Sequence, residues 1–464
     1  MSTVLLAVVA VILCILFRIL NVNTQPQKPI LWFAQIIHYI LYSVSILNSF
    51  LEFTRFVKFT MIKVNLTDGD RYVKLSINVN NNIFVNLKTY IPTRLWGFSG
   101  HVQTILHSVI GRVRCPWPIG QRVYLTLPDR STLTYDLYEP LGGPHEDDIT
   151  VAICPGIGNT SESVYIRTCV HYSQYHGYRC AVLNHIGALS SVQLTASRIF
   201  SYGHTEDFSS MIDSLVERYP TTRLVLVGFS LGGNLITKYL GDKTQTKPTH
   251  IIGGISICQG YNAIEALKSL LHWQNFRRVY LYIMTDNYRN LITRHKHVLL
   301  SEEIKTRFQL SEKSIISAAT LPDLDDAYTR KIFNFKTVTD LYHWSSSINY
   351  LENIQTPMVF INARDDPLVP DHLLDPIREF AKVAHGGHLG FYEGGSIYPN
   401  PVTWLDRAIV ALTGSLVLSN HKLKVPQAPG LKCKNNQLRH HNEYLNEDDH
   451  IKQKCCNAPN TQSS

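Results

Sequence analysis

Metal-ligand spacing is missing from this sequence. Its nine cysteines (Cys14, Cys115, Cys154, Cys169, Cys180, Cys258, Cys433, Cys455 and Cys456) include no Cys-x-x-Cys pair and no Cys/His cluster, and their number is odd. A zinc site and a disulfide scaffold are both excluded as frameworks. A strong charge of one sign is missing too. Lys+Arg 44 against Asp+Glu 36 gives +8, far short of the basic stripe of a nucleic-acid binder. Nucleic acid is therefore not an expected partner, and the mild excess suits at most an anionic membrane surface. Gly and Pro, at 26 and 21, are ordinary, which removes collagen-like and low-complexity classes. With 45% hydrophobic residues, the chain is not disordered along its length. Its 464 residues allow up to three domains at about 150 residues each, or one α/β domain with insertions.

What is present begins with an apolar N-terminus. Val4 to Phe17 is unbroken, and continuing to Leu20 gives 17 residues, the lower limit for a helix that spans a bilayer. No Lys or Arg precedes the run and no small-residue cleavage site follows it, so a membrane anchor over 1–24 is expected rather than a cleaved signal. Residues 25–120 form an amphipathic extension. Within it Ile30 to Phe53 has apolar residues at helical spacing but also Gln35, His38, Asn48 and Glu52. That suits a helix on the membrane or packed on the domain. The expected location is a single-pass membrane protein of the cell membrane or endoplasmic reticulum. Its orientation stays open: cations after the first run favour a cytosolic bulk, whereas Asn65-Leu66-Thr67 is a glycosylation acceptor if the bulk is lumenal or extracellular.

From residue 121 short apolar runs alternate with amphipathic stretches. Val123 to Leu127 and Thr132 to Tyr138 read as a hairpin, followed by runs at Thr150–Cys154, Arg179–Leu183, Leu224–Phe229, Ile251–Cys258 and Met358–Ile361. Helical stretches lie between them at Glu162–Tyr175, Asp207–Arg218 and Asn234–Leu240. Such alternation predicts an α/β fold, a mostly parallel sheet with helices on both faces, over 121–415. An aromatic-rich helical insertion at about 261–350 is a candidate lid, because insertions at the carboxyl edge of such sheets sit where ligands bind. From His421 to Ser464 the sequence is polar with almost no apolar periodicity, and a disordered tail is predicted over 416–464.

Gly228-Phe229-Ser230-Leu231-Gly232 is a G-x-S-x-G between a predicted strand and a predicted helix. The turn at such a serine is tight, so glycines flank it and the hydroxyl stands clear of the sheet. Serine is a poor nucleophile without a base, and the base needs an orienting carboxylate, which in this fold class follow in the order Ser, Asp, His. Downstream, ARDDPLVP offers Asp365 and Asp366 just past a strand, and AHGGHLGF offers His385 and His388. An acyl-transfer site also needs donors for the oxyanion. The backbone N–H groups of Ile157, in ICPGIGN after the strand at Thr150, and of Leu231, after the serine, are the candidates.

Taken together, CPGIGN, GFSLGGN, ARDDPLVP and HGGHLGF resemble the membrane-anchored acylglycerol lipases of the α/β-hydrolase superfamily, from about residue 90 to 415 and with the N-terminal anchor. The resemblance implies an α/β-hydrolase fold, no metal or organic cofactor, and hydrolysis of a glycerolipid ester such as a monoacylglycerol. By motif, Ser230 is then the nucleophile, Asp366 the orienting acid and His388 the base. Two departures stand out. No histidine has an Asp five positions later, so the H-x-x-x-x-D element that some relatives use for acyl transfer is missing. The 22 residues from Asp366 to His388 are also short for a helix and a full strand, which predicts a truncated last strand and a displaced His388 loop. The competing functions are acyl transfer to an alcohol, or a weakly active lipid-binding or receptor-like protein on a hydrolase scaffold.

Overall fold

The computed structural model describes residues 90–424 except 110, 113–114, 144–146, 273–275, 375–380 and 384, together with a two-stranded antiparallel pair, Lys74–Leu75 with Ile83–Phe84. The expected anchor, residues 1–24, lies outside the described residues. No helix among the described residues is long and apolar enough to cross a membrane.

An eight-stranded sheet forms the centre. Its strands are β1 (Gln121–Thr126), β2 (Thr132–Tyr138), β3 (Ile149–Cys154), β4 (Arg179–Asn184), β5 (Arg223–Phe229), β6 (Ile251–Ile257), β7 (Met358–Ala363) and β8 (Ala381–Val383). They lie in the order β8-β7-β6-β5-β3-β4-β2-β1. β1 and β2 form the antiparallel hairpin and β2 runs antiparallel to β4, while every other neighbouring pair is parallel. β3 (ITVAIC) and β4 (RCAVLN) are buried at every position, as continuous apolar strands covered on both faces must be.

Helices α2 (Val164–Tyr175), α3 (Glu206–Arg218) and α4 (Leu231–Gly241) connect these strands. Two apolar layers result. Ile166, Cys169 and Val170 share one with Leu405, Ile409 and Leu412, and Phe208, Ile212, Leu235 and Tyr239 belong to the other. Between β6 and β7 the chain makes the expected helical insertion, with α5 (Ala263–Leu271), α6 (Arg277–Arg294), several short turns and α7 (Val338–Ser345). Its Leu281, Tyr288, Ile292 and Tyr328 are buried in the same layer as Leu235 and Tyr239, so the insertion is packed against the sheet's own helices. Asn234 of α4 donates to the carbonyls of Tyr202 and Ser345, and Lys238 donates to that of Trp344.

Two expected boundaries are corrected. The last helix, α8, runs Trp404–Lys424, so the chain is helical past 415, where a disordered tail was predicted. Its start is fixed by a reciprocal cap. Thr403 Oγ1 donates to Asp406 Oδ2 at 2.7 Å, and the Asp406 N–H donates back to Thr403 Oγ1 at 3.3 Å. Leu405, Ile409, Leu412 and Leu416 then bury one stripe, and Leu416 packs where Gly253 of β6 leaves no side chain in the way. The other boundary is at 121. Residues 90–112, expected to belong to a separate extension, form a strap with helix α1 (Gly100–Val109) whose Gln103 and Thr104 are buried against the loop after β8.

Candidate active site

Ser230 sits where β5 ends and α4 begins, with φ 54° and ψ −114°. An L-residue adopts such a conformation only when the surroundings hold it there. A Cβ on Gly232 would overlap the carbonyl oxygen of Cys154, and one on Gly228 would overlap that of Gly232. The motif's glycines therefore allow β3, β5 and α4 to meet closely enough to force the turn. The Ser230 N–H donates to Ile257 O at 2.7 Å, which pins the turn to β6.

Asp366 lies past the end of β7 with its side chain fully buried. Oδ1 accepts from the N–H groups of Leu368 and Val369 at 2.8 and 3.1 Å, leaving Oδ2 for His388 Nδ1 at 2.8 Å. His388 Nε2 is 2.8 Å from Ser230 Oγ. With a carboxylate on Nδ1 the proton is assigned there, so Nε2 accepts from the serine hydroxyl. The structure thus brings Ser230, His388 and Asp366 into one hydrogen-bonded line.

Asp365 and His385 form a separate outer pair. Asp365 Oδ1 accepts from the Gly387 N–H at 2.9 Å, and His385 Nδ1 is 3.5 Å from Asp365 Oδ2, too poorly placed for a hydrogen bond. His385 is over a third exposed and does not join the line to Ser230.

The last strand is as short as expected, three residues pairing with Ile361–Ala363, yet the His388 loop is not displaced. The strap holds it. Thr104 Oγ1 accepts from the His388 N–H at 2.8 Å and donates to Gly100 O at 2.7 Å. Gln103 Oε1 accepts from the Tyr392 N–H at 2.9 Å, and Arg112 donates to the carbonyls of Gly390 and Leu389. Contact is tight enough that a Cβ on Gly387 would overlap Gly100 O. These residues carry no local motif, and nothing in the sequence marks them.

The two expected oxyanion donors lie on facing turns. A Cβ on Gly156 would approach Phe229 O at 3.6 Å, placing the loop of Ile157 against the turn of Ser230. Gly156 N–H is already committed to Tyr165 Oη at 2.9 Å, and His185 Nε2 bonds the Pro155 carbonyl at 3.0 Å. Burial pushes the His185 pKa down, so this ring is neutral and acts as a donor to that carbonyl. His185 is a loop-positioning residue that no motif in the sequence marks.

Cys258 lies behind the line, its Sγ and the ligand atoms of Asp366 and His388 within 4.8 Å of one another. Burial pushes its thiol pKa well up, so it stays protonated, and both His388 ring nitrogens are engaged. That is a poor donor set for a metal ion. Beside Asp366 a cavity of about 320 Å³ opens, lined by His101, Arg277, Asp365 and Asp371 among others. His101 Nδ1 lies 2.9 Å from the Tyr280 hydroxyl, linking the strap to the insertion.

Residues 149–395 match the family model described as alpha/beta hydrolase fold. The chain is 58% identical over 434 residues to a fruit-fly (Drosophila melanogaster) protein named Abhydrolase domain-containing protein 2, covering 92% of this chain and all of that one. It is 43% identical over 343 residues to human Monoacylglycerol lipase ABHD2, covering 71% and 80% of the two chains. Mouse Phospholipase ABHD3 is 27% identical over 72% of this chain and 80% of its own length.

Proposed function

The chain belongs to the alpha/beta hydrolase family as a lipid-ester hydrolase, and from that premise we propose that it cleaves the ester bond of monoacylglycerols through a Ser230-His388-Asp366 triad and an acyl-enzyme. One observation carries the reading: Ser230 Oγ, His388 and Asp366 are joined by two contacts of 2.8 Å at a strained strand-to-helix turn.

His388 Nε2 takes the Ser230 proton as Oγ attacks the ester carbonyl, and the resulting imidazolium is stabilised by Asp366, which stays ionised. The N–H groups of Ile157 and Leu231 receive the oxyanion, each worth about 3 kcal/mol of barrier. As the tetrahedral adduct collapses, the C–O bond to glycerol breaks and His388 returns its proton to that oxygen. Water then repeats the cycle: His388 takes its proton as the oxygen adds to the acyl carbon, and when that adduct collapses the C–O bond to Ser230 breaks, His388 returns the proton to Oγ, and the fatty acid leaves. The metal-free donor chemistry of these residues suffices for every step.

The helical insertion over 261–350 acts as the lid in this reading. An apolar anchor at residues 1–24 keeps the domain at the bilayer, where the substrate is dissolved, as a single-pass protein of the cell membrane or endoplasmic reticulum. The test is turnover of a monoacylglycerol by Ser230→Ala. Deleting one hydroxyl at the turn leaves the fold intact and abolishes hydrolysis; turnover near the wild-type rate would sink the serine mechanism.

A further inference from the structure

The loop that carries the Ile157 N–H is gripped at a single peptide unit. In the Pro155–Gly156 peptide the carbonyl accepts from His185 Nε2 at 3.0 Å, and the N–H donates to Tyr165 Oη at 2.9 Å. The C=O and N–H of a trans peptide point to opposite sides, so the two side chains hold the plane from both ends and fix its rotation. Both side chains are buried, and water cannot take over either bond when it is lost. The next peptide inherits this orientation. Its carbonyl, Gly156 O, accepts from the Asn159 N–H at 3.1 Å, and the Ile157 N–H at its opposite end is therefore directed out of the turn. Asn159 Nδ2 closes the turn on Ile157 O at 3.0 Å.

Tyr165 also reaches the other donor turn. Its ring stands edge-on to Phe229 with centroids 5.2 Å apart, and Phe229 immediately precedes Ser230 and Leu231. His107 of the strap packs on the same ring at 5.1 Å. One buried side chain thus touches the segments bearing both N–H groups expected to receive the oxyanion, with its hydroxyl on one and its ring on the other. Burial pushes the phenol pKa up, so the hydroxyl stays neutral and adds no charge that would repel a developing oxyanion. Filling the apolar layer beside Ile166 and Val170 would need only a phenylalanine; the hydroxyl is committed to the Gly156 N–H.

We infer that Tyr165 is a positioning residue for the oxyanion site: its hydroxyl, with His185 across the same peptide, aims the Ile157 N–H, and its ring keeps that loop in register with the turn of Ser230 and Leu231. This rests on the serine-hydrolase reading above and assigns the side chains that set its anion site. Donors of this kind act on the transition state more than on bound substrate, so loss of their aim lowers kcat and spares KM.

The full chain is assayed with a water-soluble short-chain ester and with a trifluoromethyl ketone as inhibitor. Ser230 Oγ adds to the ketone carbonyl, its proton passing to His388, and the resulting alkoxide occupies the place of the oxyanion. Tyr165→Phe keeps the ring contacts and deletes the hydroxyl. Its kcat falls by about ten- to a hundredfold with KM little changed, and its Ki for the ketone rises by a similar factor. Ki is the deciding readout, because a variant that merely folds less completely has fewer active molecules and a lower apparent kcat but an unchanged Ki. Should Tyr165→Phe fold poorly, His185→Leu, which frees the other end of the same peptide, gives the same paired change, and His185→Gln, which keeps an N–H donor, restores most of it. A Tyr165→Phe enzyme with the wild-type Ki overturns the inference while leaving the hydrolase reading intact. A wild type that neither cleaves the ester nor binds the ketone overturns the hydrolase reading itself.

Discussion

Thr104→Val removes one hydroxyl and keeps the shape of the side chain. Thr104 is 4% exposed, accepts from the His388 N–H at 2.8 Å and donates to Gly100 O at 2.7 Å. Without it a buried N–H and one bond of a buried carbonyl lose their partner, and an orphaned group of this kind costs about 1–3 kcal/mol. The cost falls on a loop whose preceding strand has only three paired residues, so the loop yields locally rather than the whole sheet. A shift of about 1 Å in a base that must bridge Ser230 and Asp366 lowers turnover on the order of a hundredfold. Ground-state binding does not involve this hydroxyl. The expected result on one soluble ester is kcat down by about ten- to a hundredfold with KM little changed, and Thr104→Ser restoring most of it. A Val variant that loses a few degrees of Tm but keeps wild-type kcat would refute the reasoning, because the strap would then contribute stability alone.

Asp366→Asn lowers kcat by about three orders of magnitude through the wrong histidine tautomer, and His388→Ala does so by removing the base. Asp365→Asn keeps an oxygen for the Gly387 N–H, and His385→Ala changes a partly exposed ring, so both stay within a few-fold of wild type. Kinetics of the four variants on one ester check this, and a dead His385→Ala beside an active His388→Ala would overturn the assignment. Burial pushes the Asp325 carboxyl up to about 6 despite hydrogen bonds from Tyr202 and Tyr342. A raised acid contributes stability that is present below its ordinary value near 4 and is lost as pH rises through about 6. Thermal melts between those limits should therefore slope downward with pH in the wild type and flatten in Asp325→Asn; parallel slopes would refute the assignment. Deleting residues 1–24 should let a high-salt wash release chain that otherwise stays with membranes, since salt does not screen hydrophobic transfer. If the two fractionate alike, residues 30–53 are the anchor.

The parts of the fold that were legible in the sequence are those with a local physical signature. Continuous apolar runs such as Thr150–Cys154 and Leu224–Phe229 announce strands covered on both faces, and both lie in the sheet's interior. The Ser230 turn was legible because its backbone tolerates only glycine at 228 and 232. The doubled Asp and His were only half legible. Asp365–His385 and Asp366–His388 are both real pairs, and which one faces Ser230 depends on loop geometry that spacing does not encode. The strap was illegible for a different reason. Thr104, Gln103 and Arg112 meet residues nearly 300 positions away through single polar atoms, with neither periodicity nor motif. The domain boundary expected at 415 falls inside α8, whose Leu416 and Val417, just past Gly414-Ser415, are still buried.

In the proposed reaction Ser230, activated by His388, is the nucleophile. A fluorophosphonate probe reacts with a serine only when its hydroxyl is activated, so mass spectrometry of the labelled full chain tests this without reference to any lipid. A single adduct is expected on the peptide containing Ser230, absent from Ser230→Ala and strongly slowed in His388→Ala. Undiminished labelling of Ser230→Ala, or an active wild type that takes up no probe, would contradict it.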